Sequence, residues 1–234
     1  KVCRVWEQYG DERETEGIKK GKLTGLREGK RVGLKEGKKE MEKKTLYIMR
    51  HGQTLFNLQH KIQGWCDAPL TPLGITQAQV AKEYIDSQNV TFDHAYSSTS
   101  ERACDTLEIV LGSEYPYKRV KGLKEWNFGA FEGKDECLNP KLPYLDFFKQ
   151  FGGEGQSEVQ ERMVKTITEI MDQEDHHTVF MVSHGASVAN FYRAFEQYAK
   201  VEKKERFYNC CVLKYTYENG IFVLEELFNK NITE

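Results

Sequence analysis

Thr45-Leu46-Tyr47-Ile48-Met49-Arg50-His51-Gly52 and Thr178-Val179-Phe180-Met181-Val182-Ser183-His184-Gly185 share one pattern. Each is a short apolar, β-prone run that breaks at a histidine followed by glycine. Such a run reads as a buried strand with the histidine at its carboxyl end. In open α/β sheets, ligands collect at that end of the strands. Two imidazoles delivered this way, the first beside Arg50, predict an anion pocket with a reacting group inside it.

Strands and helices alternate from Thr45 onward. Thr71 as N-cap and Pro72 at the first helical position open a helix to about Ser87. A short strand ends at Ser97-Ser98, and Ser98 or Ser100 caps a helix to about Leu111. Arg119 to Leu123 reads as a strand, Leu142–Phe151 and Ser157–Asp172 as helices, and Ala186 to about Tyr198 as a further helix. Strands 210–217 and 221–228 are joined by Asn219-Gly220, a hairpin signal. The alternation predicts an α/β three-layer sandwich: a mostly parallel central sheet flanked by helices, with the hairpin at or near an edge.

Residues 1–44 form a separate N-terminal basic extension ahead of the domain at 45–234. Gly17, Gly21, Gly25, Gly29, Gly33 and Gly37 recur every four residues among Lys, Arg and Glu. One reading is a helix whose glycine stripe admits a partner helix, giving self-association. A four-residue step overshoots the helical period by about 40°, however, and each interior glycine costs about 1 kcal/mol, so a disordered arm stands level with it.

The 234 residues suffice for one substantial α/β domain plus an appendage. The net charge of -2 gives no reason to expect nucleic acid as a partner. The extension holds 14 Lys/Arg against 9 Asp/Glu, which leaves the body acidic, so its individual arginines become informative. Six cysteines show no CxxC pair, which argues against a disulfide framework and a zinc site. No run reaches membrane-spanning length. A reduced, soluble, cytoplasmic protein without a membrane partner is expected.

Three segments can carry chemistry. Arg50-His51-Gly52-Gln53-Thr54, with Asn57 beyond it, offers a cation, an imidazole and backbone N–H groups. Arg102 lies in the first turn of a helix after Ser97-Ser98, where a cation is disfavoured unless an anionic ligand answers it. Glu125 sits among Trp126, Phe128 and Phe131, neighbours that would desolvate its carboxyl and suit it as a proton donor; Glu132 reads as a solvated loop carboxylate. Together these groups fit phosphate monoester hydrolysis, for which enzymes supply up to ~10²¹-fold acceleration. Arg50, Arg102 and His184 would meet the phosphoryl oxygens, His51 would attack phosphorus, and Glu125 would move the proton. These roles need no metal and no cofactor, and no carboxylate cluster or Gly-rich loop with Lys is visible for either.

These segments resemble the histidine phosphatase superfamily, in its phosphoglycerate-mutase-like branch. The resemblance runs through Arg50-His51-Gly52-Gln53-Thr54 with Asn57, Gln63 to Gly74, Ser97-Ser98 with Arg102-Ala103 and Thr106, Leu123-Lys124-Glu125 with Phe128-Gly129 and Glu132-Gly133, and Ser183-His184-Gly185. It covers about residues 45–234 and leaves the extension outside. It implies His51 as the phosphorylated nucleophile, Arg50, Arg102 and His184 as the phosphate pocket, Glu125 as proton donor, and Asn57, Gln63 and Gly64 as substrate contacts. Mutases of the family carry a longer insertion between the acid and the second histidine. Here Glu125 and His184 are 59 positions apart, which favours a phosphatase of small phosphorylated metabolites. A mutase-type phosphoryl transfer and a non-catalytic phospho-ligand-binding scaffold are the alternatives.

Overall fold

The computed structural model describes residues 43–233. The expectations for the glycine-spaced extension fall on residues outside that range, apart from Lys43 and from Lys44, which already belongs to the first strand. Six strands build one sheet: β1 (Lys44–Arg50), β2 (His94–Ser98), β3 (Lys118–Val120), β4 (Thr178–Ser183), β5 (Val212–Glu218) and β6 (Ile221–Phe228). Their order is β3-β2-β4-β1-β5-β6. The first four are mutually parallel, whereas β5 runs antiparallel to β1, and β6 to β5.

Strand alternation sends neighbouring side chains to opposite faces. Leu46, Ile48, Val179 and Met181 pack on one face with α3 (Gln156–Met171) and α4 (Gly185–Phe195). Tyr47, Met49, Phe180 and Val182 pack on the other with α1 (Pro72–Ser87) and α2 (Glu101–Leu111). The helices present apolar residues at helical spacing, as with Val159, Met163, Ile167 and Ile170 of α3. The predicted three-layer sandwich is therefore the observed one.

Two adjacent parallel strands, β1 and β4, lead their chains to opposite faces: β1 toward α1 and β4 toward α4. A crevice opens at such a divergence. His51 and His184 both sit at its floor, and His51 N–H still donates to Ser183 O at 3.1 Å.

Several expectations are corrected. The strand placed at Arg119–Leu123 spans Lys118–Val120, because its partner β2 ends at Ser98, opposite Val120. Lys121–Leu123 then form a 3₁₀ turn. Leu142–Phe151 is not an α-helix; only Phe147–Phe151 coils, as 3₁₀. Pro143 has no N–H, and Leu145 takes φ 44°, which breaks a right-handed helix. β5 starts at Val212, since Cys210 turns the chain with φ 58°. Ser100 occupies the N-cap position of α2, but its hydroxyl makes no capping bond. Thr71 does cap α1, accepting from Gly74 N at 3.0 Å. Among the described residues no helix is long and apolar enough to cross a membrane.

The hairpin supplies a clean test of backbone conformation. Asn219 and Gly220 have φ 52° and 76°, the left-handed pair of a tight strand-joining turn. A Cβ on Gly220 would meet nothing within 4 Å, so a substitution there adds conformational cost alone. Gly220→Ala is expected to lower the urea unfolding free energy by about 1 kcal/mol while leaving the active site unchanged.

Candidate active site

His51 directly follows β1 and is buried. Its Nδ1 lies 2.7 Å from Gly52 O, and its Nε2 lies 3.2 Å from Arg102 Nε. A carbonyl only accepts and a guanidinium only donates, so Nδ1 carries the proton and Nε2 offers a lone pair. The His184 ring stands 5.2 Å away, centroid to centroid, edge-on at 65°. His184 Nε2 contacts Ser98 Oγ at 2.7 Å, while its buried Nδ1 has no partner.

Arg102 has no solvent exposure. Besides its bond to His51, it donates to Cys66 O at 2.9 Å, Gly64 O at 2.8 Å and Asp67 Oδ1 at 2.7 Å. Asp67 also accepts from Glu101 N at 2.6 Å, tying this loop to the start of α2. Arg50 donates through Nη1 to Phe207 O at 2.8 Å, and its buried Nε is unpaired. A Cβ on Gly185 would come within 3.1 Å of that Nε, so the guanidinium rests against the residue after His184.

Glu125 is corrected in its surroundings. Its carboxylate meets hydrogen-bond donors rather than the aromatic rings. Oε1 accepts from Trp126 N at 2.9 Å, Ser187 N at 2.8 Å and Ser187 Oγ at 3.0 Å, while Oε2 accepts from Ala186 N at 2.9 Å. It lies on the first turn of α4, directly after His184. Its backbone is fixed by Trp65 Nε1 at 3.0 Å and by Arg162, which also donates to Gly122 O and Lys124 O, each at 2.8 Å. Trp126, Phe128 and Phe148 are buried and pack edge-on or stacked, with Phe131, Tyr144 and Phe147 against them; these rings are a local core under the acid.

Glu132, expected to be solvated, is instead an internal acceptor. It takes Gly64 N (3.0 Å), Trp65 N (2.8 Å), Cys66 N (3.0 Å) and Phe128 N (3.0 Å). Gly64 is thereby used structurally, with its N–H on Glu132 and its carbonyl on Arg102. Gln63 Oε1 accepts from Thr54 Oγ1 at 2.6 Å, and its buried Nε2 has no partner. Asn57 closes a capping box with Thr54, and its Oδ1 also accepts from Asn209 Nδ2 at 3.3 Å. Asn209 reaches His51 O at 3.1 Å as well. Gly52 is needed for a backbone contact, since a Cβ there would lie 2.5 Å from Gly74 O.

The five residues expected at the centre are thus brought around one point. Sequence reading missed Ser98, Asp67, Asn209 and Arg162 as their supports. A pocket of about 490 Å³ opens beside the site, lined by Gln53, Thr71, Arg206, Tyr208 and Asn209. His51 does not line it, although Asn209 joins the two.

Both site imidazoles are held well below the ordinary imidazole range, by burial first and then by the Arg102 charge. The unfolded chain binds these protons near about pH 6.5, whereas the folded chain refuses them until lower pH. Unfolding therefore takes up protons in that window, and stability present above it is lost as pH falls. The unfolding free energy is expected to drop between about pH 7 and about pH 5, by roughly 1.4 kcal/mol per histidine per pH unit. His184→Gln should shrink that drop, measured by urea titration at each pH; an equal drop would contradict the assignment.

Comparison with known proteins agrees with this geometry. The profile of the histidine phosphatase superfamily (branch 1) matches residues 46–230. The chain is 28% identical over 188 residues to a protein described as probable phosphoglycerate mutase GpmB of Proteus mirabilis (strain HI4320), covering 75% of this chain and 86% of that one. Phosphoglycerate mutase from Bacillus anthracis str. Sterne superposes with a TM-score of 0.66 at 26% identity, over 79% of this chain and 92% of its own. Phosphoserine phosphatase from Entamoeba histolytica, solved with 3-phosphoglyceric acid, superposes with a TM-score of 0.66 at 28% identity, over 80% and 98%. Its sheet, its paired imidazoles and the match over nearly the whole described region make this chain a member of the histidine phosphatase superfamily, branch 1.

Proposed function

We propose that the protein is a phosphohydrolase that removes phosphate from small phosphomonoesters through a phosphohistidine at His51. The observation that carries this reading is the His51 ring, whose Nδ1–H is tied to Gly52 O while its Nε2 faces Arg102. That arrangement supplies a neutral nucleophile of defined tautomer next to a fixed positive charge.

In the first step the Arg102 Nε–H passes from His51 Nε2 to a phosphoryl oxygen, the freed Nε2 lone pair attacks phosphorus, and the bond from phosphorus to the ester oxygen breaks. Arg50 Nε, Arg102 and His184 Nδ1 meet the three equatorial oxygens as charge builds on them. Glu125 delivers a proton to the departing alkoxide. Its Oε2, which accepts one bond against three at Oε1, is the oxygen with lone-pair capacity for that task. In the second step Glu125 takes a proton from water, the water oxygen attacks phosphorus, and the P–N bond breaks to release phosphate. The charge comes from side chains, so the mechanism runs without a metal. Gln63 Nε2 is a further unpaired donor for the substrate.

Hydrolysis is favoured over mutase-type transfer by the segment between the acid and His184. It consists of short 3₁₀ turns, α3 and β4, the last inside the sheet. α3 is committed to the core, with Val159, Met163 and Ile167 fully buried, which leaves the turns alone to cover the pocket. Water therefore reaches the phosphoenzyme.

His51→Ala should lower phosphate release across a panel of phosphoesters by on the order of 10³-fold or more. The parent alone should take up acid-labile, base-stable label from substrate, and added chelator should leave turnover unchanged. Label retained in His51→Ala would contradict the nucleophile. Interconversion of 3- and 2-phosphoglycerate faster than phosphate release would replace the phosphatase by a mutase.

A further inference from the structure

At the opposite, amino end of the parallel strands, His94, Asp175 and His176 converge. His94 is the first residue of β2, and His176 lies two residues before β4. Asp175 bridges them: Oδ2 is 2.9 Å from His94 Nε2, and Oδ1 is 2.7 Å from His176 Nδ1. The two rings are stacked at 3.8 Å with 14° between planes, so both nitrogens address the same carboxylate. His176 is buried, and its rear nitrogen, Nε2, lies 2.6 Å from Tyr96 Oη.

The backbone holding this set is fixed independently of it. Asp93 accepts from His177 N at 2.9 Å and Thr178 N at 2.7 Å, and its own N–H donates to Thr178 O at 2.9 Å. These bonds lock the start of β2 to the turn that carries Asp175 and His176.

We propose that His94 Nε2, His176 Nδ1 and Asp175 form a binding site for a borderline divalent cation, zinc above all. Two imidazoles and one carboxylate are a donor set such cations favour. The three donor atoms lie within 4.8 Å of one another. Tetrahedral ligation at about 2 Å needs them roughly 3.3 Å apart. Asp175 already lies 2.9 and 2.7 Å from the two ring nitrogens, so the adjustment falls on the stacked imidazoles. His94, 29% exposed at its side chain, turns out of the stack to aim its Nε2 lone pair at the ion, and Asp175, 71% exposed, follows it. On binding, each neutral imidazole moves its proton from the ligating nitrogen to the rear one. For His176 that proton meets Tyr96 Oη, the outer partner that orients a metal-bound histidine. Three protein ligands leave a fourth position for water. The ion would clamp β2 to the turn before β4, a stabilising role remote from His51. Cysteine spacing could not reveal this site, because its ligands are a histidine at the start of β2 and an Asp–His pair on the turn before β4.

The test is calorimetric titration of zinc chloride into the full chain, alongside thermal unfolding with and without zinc. The parent should bind one zinc that His94→Ala and Asp175→Ala lose, and zinc should raise the melting temperature of the parent alone. Tyr96→Phe should bind about tenfold more weakly. Both His94→Ala and Asp175→Ala should keep phosphate release within twofold of the parent, whatever the identity of the substrate. Zinc uptake unchanged in His94→Ala and Asp175→Ala would place the ion at cysteines or at the His51 pocket and overturn the proposal. So would absence of zinc binding in the parent, or an unchanged affinity in Tyr96→Phe.

Discussion

A guanidinium with no access to water costs several kcal/mol to bury unless its N–H groups are answered by acceptors, and four of the five of Arg102 are answered. Two backbone carbonyls, Gly64 O and Cys66 O, and the Asp67 carboxylate take its terminal nitrogens. The fourth acceptor is His51 Nε2. The loop that supplies the carbonyls would not hold its shape unaided, and Glu132 holds it by accepting three successive N–H groups from Gly64, Trp65 and Cys66. The His51 imidazole, the buried cation and the loop are therefore one bonded unit. Loss of any member leaves a buried charge or a buried donor unanswered.

The same unit sets the electrostatics. Burial and the neighbouring arginines keep His51 neutral, which preserves its lone pair at the pH of a cell. Arg50 Nε, His184 Nδ1 and Gln63 Nε2 are three of the buried side-chain atoms without a partner among the described residues. Native proteins satisfy nearly all such atoms, and Arg50 Nε and His184 Nδ1 are donors of the kind an anionic group answers. Preorganised donors of this kind need no rearrangement when charge develops on the transferring group.

Much of this was legible in the sequence, and the parts that were not have a common cause. The two histidine strands announce themselves because an apolar run and its break are local signals. Arg102 stood out because a cation at a helix start contradicts the helix dipole unless something answers it. The surroundings of Glu125 were only partly legible: its aromatic neighbours do form a core, yet its carboxylate sits on donors from α4, 61 and 62 positions away. Glu132 looked like any loop carboxylate, since its partners at Gly64 to Cys66 lie 66 to 68 positions distant. Arg162, Ser98 and Asn209 were invisible for the same reason. Leu142–Phe151 misled because its aromatic spacing imitates a helix, while Pro143 and the left-handed Leu145 deny it the backbone.

The central claim is that one phosphoryl group sits between His51 and His184 with Arg50 and Arg102 around it. A crystal structure grown with orthovanadate, which adopts the trigonal bipyramid of in-line transfer, addresses that geometry most directly. The account predicts vanadium bonded to His51 Nε2, with equatorial oxygens within hydrogen-bond reach of Arg50 Nε and His184 Nδ1, and the apical oxygen facing Glu125. Vanadate bound away from His51, or those two nitrogens still unpaired with it in place, would contradict the account.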